Sequence, residues 1–173
     1  AWENLPTQGE GRNAARASIA RGEQLFNTFP IPIFGVGGLN GPFDKSQAVI
    51  PGTCGTCHDS PNAGDHSVVA PLNIGLTDAS RRTPDQPLFT LTNKTTGQVV
   101  QTTDPGRAMV SGRWIDIGKF KGPILRGLAA RAPYFHNGSA ATLLDAVNFY
   151  DTRFDLHFTP QQKSDLVAFL STL

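Results

Sequence analysis

The chain has 173 residues, 39% of them hydrophobic, with 18 glycines and 13 prolines. Its 15 basic and 14 acidic residues leave a net charge of +1, which gives no reason to expect nucleic acid as a partner. No apolar run approaches the length of a membrane span, so no integral membrane segment is expected. The length suits one domain over 1–173, although its apolar content is low for that size.

Residues 12–26, "RNAARASIARGEQLF", combine good helix formers with Ala15, Ile19, Gly22 and Phe26 at positions that share a face. Arg12, Arg16 and Arg21 beside them read as a solvated basic surface. Residues 27–53 are broken by Pro30, Pro32, Gly35, Gly37, Gly38, Gly41, Pro42 and Pro51, and read as a loop insertion. Then comes "CGTCH". Cys54, Cys57 and His58 form C-x-x-C-H, the pattern for covalent attachment of a c-type haem. Two thiols at this spacing reach the two vinyl groups of one haem as thioethers, and the adjacent imidazole lies beneath the iron. A dithiol redox site should accompany a βαβ pattern, and none is visible. A zinc ion shared by Cys54, Cys57, His58 and His66 would strain the chain, because His58 directly follows Cys57. One covalent haem c is therefore the expected cofactor, with His58 as one iron ligand. A large buried cofactor would also compensate for the thin apolar core. Haem c is attached outside the bacterial cytoplasm, and a chain opening at Ala1 looks like a mature product. A periplasmic or otherwise exported location is expected.

Residues 60–87 read as loop. In 88–103, "LFTLTNKTTGQVVQTT", β-branched runs flank "NKTTG" and predict a small β-hairpin. Residues 104–133 read as mostly irregular, with a short helix around 123–129. Thr142 followed by Asp145 resembles a capping box. Leu143, Ala146, Val147 and Tyr150 then follow the i, i+3, i+4, i+7 rule, which puts Tyr150 on a buried face. Thr159, Pro160 and Gln162 supply a second helix start, and Leu166, Phe169, Leu170 and Leu173 form its apolar stripe. An opening helix, the haem motif and a closing amphipathic helix predict a mainly α, cytochrome c-like fold with long loops and a small hairpin. The two terminal helices should pack across one another.

The second axial ligand is less direct. Electron carriers often pair His with Met. The single methionine, Met109, is a candidate ligand or a filler of the apolar interior. His136, in "APYFHNGS", suits a haem propionate or a backbone carbonyl better than iron. His66 and His157 read as loop or surface residues.

"RGEQLF", "CGTCH", "FKGPILRGLAARAPYFHNGSAATLLDAVNFY" and "FTPQQKSDLVAFLSTL" together resemble the C-terminal haem domain of bacterial di-haem cytochrome c peroxidases. They also resemble the related enzyme that matures methylamine dehydrogenase. The resemblance covers roughly residues 20–29 and 51–173. In the peroxidases the helix-ending position carries the distal Met of the electron-transferring haem, and in the maturation enzyme a Tyr ligand. The matching residue here is Tyr150, 14 residues after His136. The resemblance therefore favours Tyr150 as second ligand, with Met109 as runner-up; the other role for Tyr150 is a core residue bonded to a propionate. Arg126, in "ILRG", matches a family arginine near the propionates, or is a surface charge. Backbone oxygens around Arg131 and Pro133 match part of a family calcium cage, but the other domain's share is missing, and no calcium is expected.

The chain has one haem motif where the family has two, and the peroxide-reacting haem belongs to the other domain. Peroxidase activity is not carried over. The resulting expectation is a monohaem c-type cytochrome passing single electrons to a redox partner through a small transient contact. The alternatives are a peroxidase-like or oxygenase-like haem enzyme, which needs a displaceable iron ligand and a nearby acid–base group, and the electron-relay domain of a larger multi-haem enzyme.

Overall fold

The structure, a computed structural model, describes residues 6–40, 49–58 and 70–173. Its elements in chain order are α1 (Arg12–Thr28), β1 (Ile31–Phe34), β2 (Val49–Gly52), α2 (Cys54–His58), β3 (Phe89–Thr92), β4 (Val99–Thr102), α3 (Ala108–Ser111), α4 (Leu143–Phe154) and α5 (Pro160–Leu170). Single 3-10 turns lie at Ala79–Arg81, Trp114–Asp116 and Leu128–Ala130. The expected mainly helical architecture and the small hairpin are both present. The described chain gathers into two compact units, one of residues 6–33, 49–58 and 122–173, the other of 34–40 and 70–121.

In the first unit the terminal helices cross, as the sequence leads one to expect. Close approach depends on Gly22: a Cβ there would collide with the Asp165 carbonyl oxygen and lie 2.7 Å from the Phe169 Cβ. Phe26 and Phe169 meet at 5.6 Å between ring centroids and are almost wholly buried. Ala15, expected on the inner face, is exposed, because only the later turns of α1 lie beneath α5; Ala17, Ala20, Gly22 and Phe26 are buried. The crossing also buries a charge. Asp165 is 2% exposed and accepts hydrogen bonds from Arg21 Nε and Nη2 (both 2.8 Å), Ser18 Oγ (2.6 Å) and Gln161 Nε2 (2.9 Å). Burial alone would raise this carboxyl, but the Arg21, Ser18 and Gln161 bonds outweigh it and hold it below the usual carboxylate range. Arg21, read from sequence as part of a solvated face, is thus the part-exposed half of a pair whose buried partner lies 144 residues away.

Both capping boxes form. Thr142 Oγ1 accepts from the Asp145 amide (3.1 Å) while Asp145 Oδ2 accepts from the Thr142 amide (2.9 Å). Thr159 and Gln162 repeat this at α5, with Pro160 in the first turn. Lys163 ties α5 to α4 through Asp151 (2.6 Å) and Asn148 (2.9 Å).

The stretch 27–53, expected as a loop, holds the end of α1 and two strands, β1 and β2, which pair. Ile31 and Ile33 point into the core and alternate with exposed neighbours, so burial of two isoleucines outweighs the proline punctuation. Residues 41–48 of this stretch lie outside the described residues. The short helix expected around 123–129 is instead the 3-10 turn Leu128–Ala130, because Gly127 takes a left-handed conformation (φ +65°) and interrupts any helix from Pro123.

In the second unit β3 and β4 pair antiparallel, Phe89 opposite Thr102 and Thr92 opposite Val99. Asn93 Oδ1 accepts from the Thr95 (2.9 Å) and Thr96 (3.2 Å) amides, and Gly97 turns with φ +73°. Asp116 is 5% exposed and draws Ser111 Oγ (2.9 Å) and Lys119 Nζ (3.3 Å) onto the loop that follows α3.

Candidate haem-binding site

The motif residues form a single helical turn, α2. Cys54, Cys57 and His58 therefore stand at i, i+3 and i+4, the spacing that places three side chains on one face. Two local contacts set the entry to this turn. Thr56 Oγ1 accepts from the Thr53 amide (2.8 Å), and Gly52 leaves room for Ile33, whose Cδ1 would lie 2.7 Å from any Cβ there.

Tyr150 comes from the second half of α4, which runs one turn beyond it to Phe154 rather than ending there as the resemblance implies, and meets this face. Its ring stands edge-on to the His58 imidazole at 6.5 Å between centroids, and Phe26 of α1 comes within 6.3 Å of the same imidazole. Phe149 (5.2 Å), Phe135 (6.1 Å) and Phe154 (6.4 Å) complete an aromatic surround for Tyr150.

All four polar side chains of this cluster are pushed towards their neutral forms. Burial raises Cys54 to about 12 and raises Cys57 above the ordinary thiol value. Burial likewise raises Tyr150, and the neighbouring Cys57 and Cys54 would raise it further as thiolates. Burial pulls His58 below the usual histidine range; the Pro123 carbonyl opposes this but does not win. No hydrogen bond of good geometry forms at His58 Nδ1, which is buried. As whole residues the four are only half-buried. Side chains that solvent can touch, yet that protein surrounds closely enough to suppress ionisation, line a recess.

This chemistry distinguishes between the readings of C-x-x-C-H. A dithiol redox centre needs a thiol with a lowered pKa, whereas both thiols here are raised. The described residues contain no group of three or more His, Cys, Asp or Glu able to hold a metal ion; His66 lies outside them. Haem fits the donors: two unpaired thiols on one face, a buried neutral imidazole next to them, and aromatic walls. Cys54 and Cys57 could attach the group and His58 could ligate its iron, with the Tyr150 ring beside the imidazole.

The other expected residues are placed differently. Arg126 and His136 are exposed side chains of the same unit. Met109 belongs to the second unit, on α3, and is 72% exposed. His157 is exposed and pairs with Asp155 at 3.2 Å. Two participants escaped the sequence reading: the Pro123 carbonyl, a backbone atom with no side-chain signature, and Phe135. Phe26 was foreshadowed by its place on the inner face of α1.

A family model described as RoxA-like, cytochrome c-like matches residues 119–157. A cytochrome-c peroxidase of Denitromonas iodatirespirans is 33% identical over 140 residues, covering 69% of this chain and 36% of that protein. The cytochrome c551 peroxidase of Nitrosomonas europaea is 41% identical over 76 residues, 42% of this chain and 23% of its own. That of Pseudomonas aeruginosa is 27% identical over 128 residues, covering 73% and 32%. The chain thus spans between about a quarter and about a third of the length of these curated relatives. No solved structure matches significantly. Relatives of these kinds imply covalently bound haem c. The chain is a cytochrome c-like haem domain related to the cytochrome c peroxidases.

Proposed function

We propose that the protein is a one-haem c-type domain that carries single electrons to and from a redox partner. The observation that supports this most is the convergence of Cys54, Cys57, His58 and Tyr150 on one recess. In this reading Cys54 and Cys57 would hold the haem by thioethers, and His58 and Tyr150 would supply ligands to its iron. The bound group supplies a ferric/ferrous couple. The chain's own residues set its surroundings. The neutral imidazole of His58 is in the form that can ligate. Tyr150 would have to give up its phenolic proton to ligate, and a metal cation is the kind of charge that lowers the pKa of a coordinating group. Phenolate ligation stabilises the oxidised state relative to a Met ligand. Met109, exposed on the other unit, is the weaker ligand candidate. Arg126 and His136 are proposed for the propionate side, as surface groups that pair with carboxylates. Attachment of haem c implies export; no described helix is long and apolar enough to cross a membrane.

A second reading is favoured by one observation. The relatives reported above are named as cytochrome c peroxidases, and this chain covers only 23–36% of each. The same site would then serve as the electron-relay domain of a larger enzyme.

Ferric visible and electron paramagnetic resonance spectra of the holoprotein test the ligand assignment. Tyr150→Phe should change the iron's ligation, and Met109→Leu should not. An unchanged spectrum in Tyr150→Phe would remove Tyr150 from the iron. Peroxide added with an electron donor separates the functions: slow or absent consumption is expected of a carrier, and rapid turnover would overturn that role.

A further inference from the structure

Rings from two different parts of the chain reach Tyr150. Phe149 and Phe154 share α4 with it, so they move as it moves. Phe135 belongs to a separate turn, and its ring lies 4.7 Å from Phe149 and 6.1 Å from Tyr150.

The backbone of Phe135 is unusual. Its φ is +67°, a conformation that bulky non-glycine residues rarely adopt and that persists only where its surroundings over-determine it. The surroundings here are specific. The Tyr134 amide donates to the Ala140 carbonyl (2.6 Å) and the Gly138 amide to the Phe135 carbonyl (3.2 Å). The Tyr134 hydroxyl donates to the Leu128 carbonyl (3.1 Å). In extended backbone consecutive side chains point to opposite sides. The left-handed residue defeats that alternation: Tyr134 is buried, Phe135 packs on Phe149 and Tyr150, and His136 is exposed. A strained residue whose visible result is a ring set against Tyr150 calls for a role at Tyr150.

We propose that Phe135 is a positioning residue that wedges the Tyr150 ring in place, so that its phenolic oxygen is presented to the cysteine–histidine face in one orientation. The proposal rests on the reading of Tyr150 as an iron ligand. In this scheme Phe135 acts by denying the tyrosine ring other positions.

The test uses ferric holoprotein in five forms: wild type, Phe135→Ala, Phe135→Gly, Phe135→Tyr and Tyr150→Phe. Paramagnetic resonance and the phenolate-to-iron charge-transfer band are recorded together with thermal midpoints. In Phe135→Ala the band should be lost or the single ferric species should split into two. Phe135→Gly relaxes the backbone but still lacks the ring, so it should lose the band too, and it serves if the alanine variant does not fold. Phe135→Tyr keeps a ring of the same shape and should restore the wild-type spectrum. A wild-type spectrum in Phe135→Ala or Phe135→Gly, whatever the thermal midpoint, overturns the proposal while Tyr150→Phe alters the spectrum. If Tyr150→Phe itself leaves the spectrum unchanged, the ligand reading fails and the proposal falls with it.

Discussion

Within one unit, the α1–α5 crossing and the α2 recess bury polar groups in opposite ways. At the crossing, Asp165 keeps its charge because Arg21, Ser18 and Gln161 all donate to it, and its carboxyl ends below the usual range. In the recess, burial dominates every shift: both thiols and Tyr150 rise, and His58 falls. The contrast separates a finished joint from a reactive surface. A charge compensated on all sides is a structural tie that needs nothing further. Of the donors held neutral, the His58 imidazole is already in the form that ligates a metal, whereas Tyr150 has to lose its proton to do so; for both, and for the thiols, the partner is the bound group rather than another side chain.

The contrast can be broken from either side, and the largest effect belongs to the recess. Replacing both Cys54 and Cys57 by serine should abolish covalently retained haem, read as loss of haem staining on a denaturing gel. Full staining would dissolve the distinction between the two regions. On the crossing, Gly22→Leu forces a side chain into the Asp165 backbone and should cost about 3 kcal/mol, measured by denaturant unfolding of the holoprotein. Arg21→Ala should cost about 2 kcal/mol at neutral pH, since Asp165 stays buried with only neutral donors, while Arg21 itself is one-third exposed (34%) and partly screened.

That pair also carries a pH signature. The folded carboxyl of Asp165 lies below its unfolded value, so on acidification the unfolded chain takes up the proton first. Its stabilisation is complete above about pH 4 and is lost as pH falls through the folded value. Asp165→Asn should therefore flatten the acid limb of the stability curve below about pH 4; an unchanged limb would show that the pair is not a charged tie. The smallest effect sharpens the comparison from the side of α4. Thr142→Ala removes a cap and should cost about 1 kcal/mol without altering the ferric spectrum.

How much of this was legible beforehand follows from how local each feature is. The haem motif, the two capping boxes and the "NKTTG" turn are made by residues within five positions of one another, so their chemistry is written in the order of the chain. Helical periodicity likewise placed Tyr150 on an inner face. Pairing of Arg21 with Asp165 was not legible, because it joins the first helix to the last. Strands β1 and β2 were hidden by their prolines and glycines, and burial of Ile31 and Ile33 decided the matter. Arg126 was drawn from resemblance and His136 from its aromatic and turn neighbours, and both are exposed.

By itself, then, the order of amino acids determined the cofactor chemistry on offer, the helix starts and the hairpin, since these depend on neighbours along the chain. The tertiary structure decided the rest: that the recess holds its donors neutral, that Tyr150 stands edge-on to His58, and that a left-handed Phe135 stands against the tyrosine. Burial and long-range packing set ionisation and ring orientation, and neither is a property of sequence spacing.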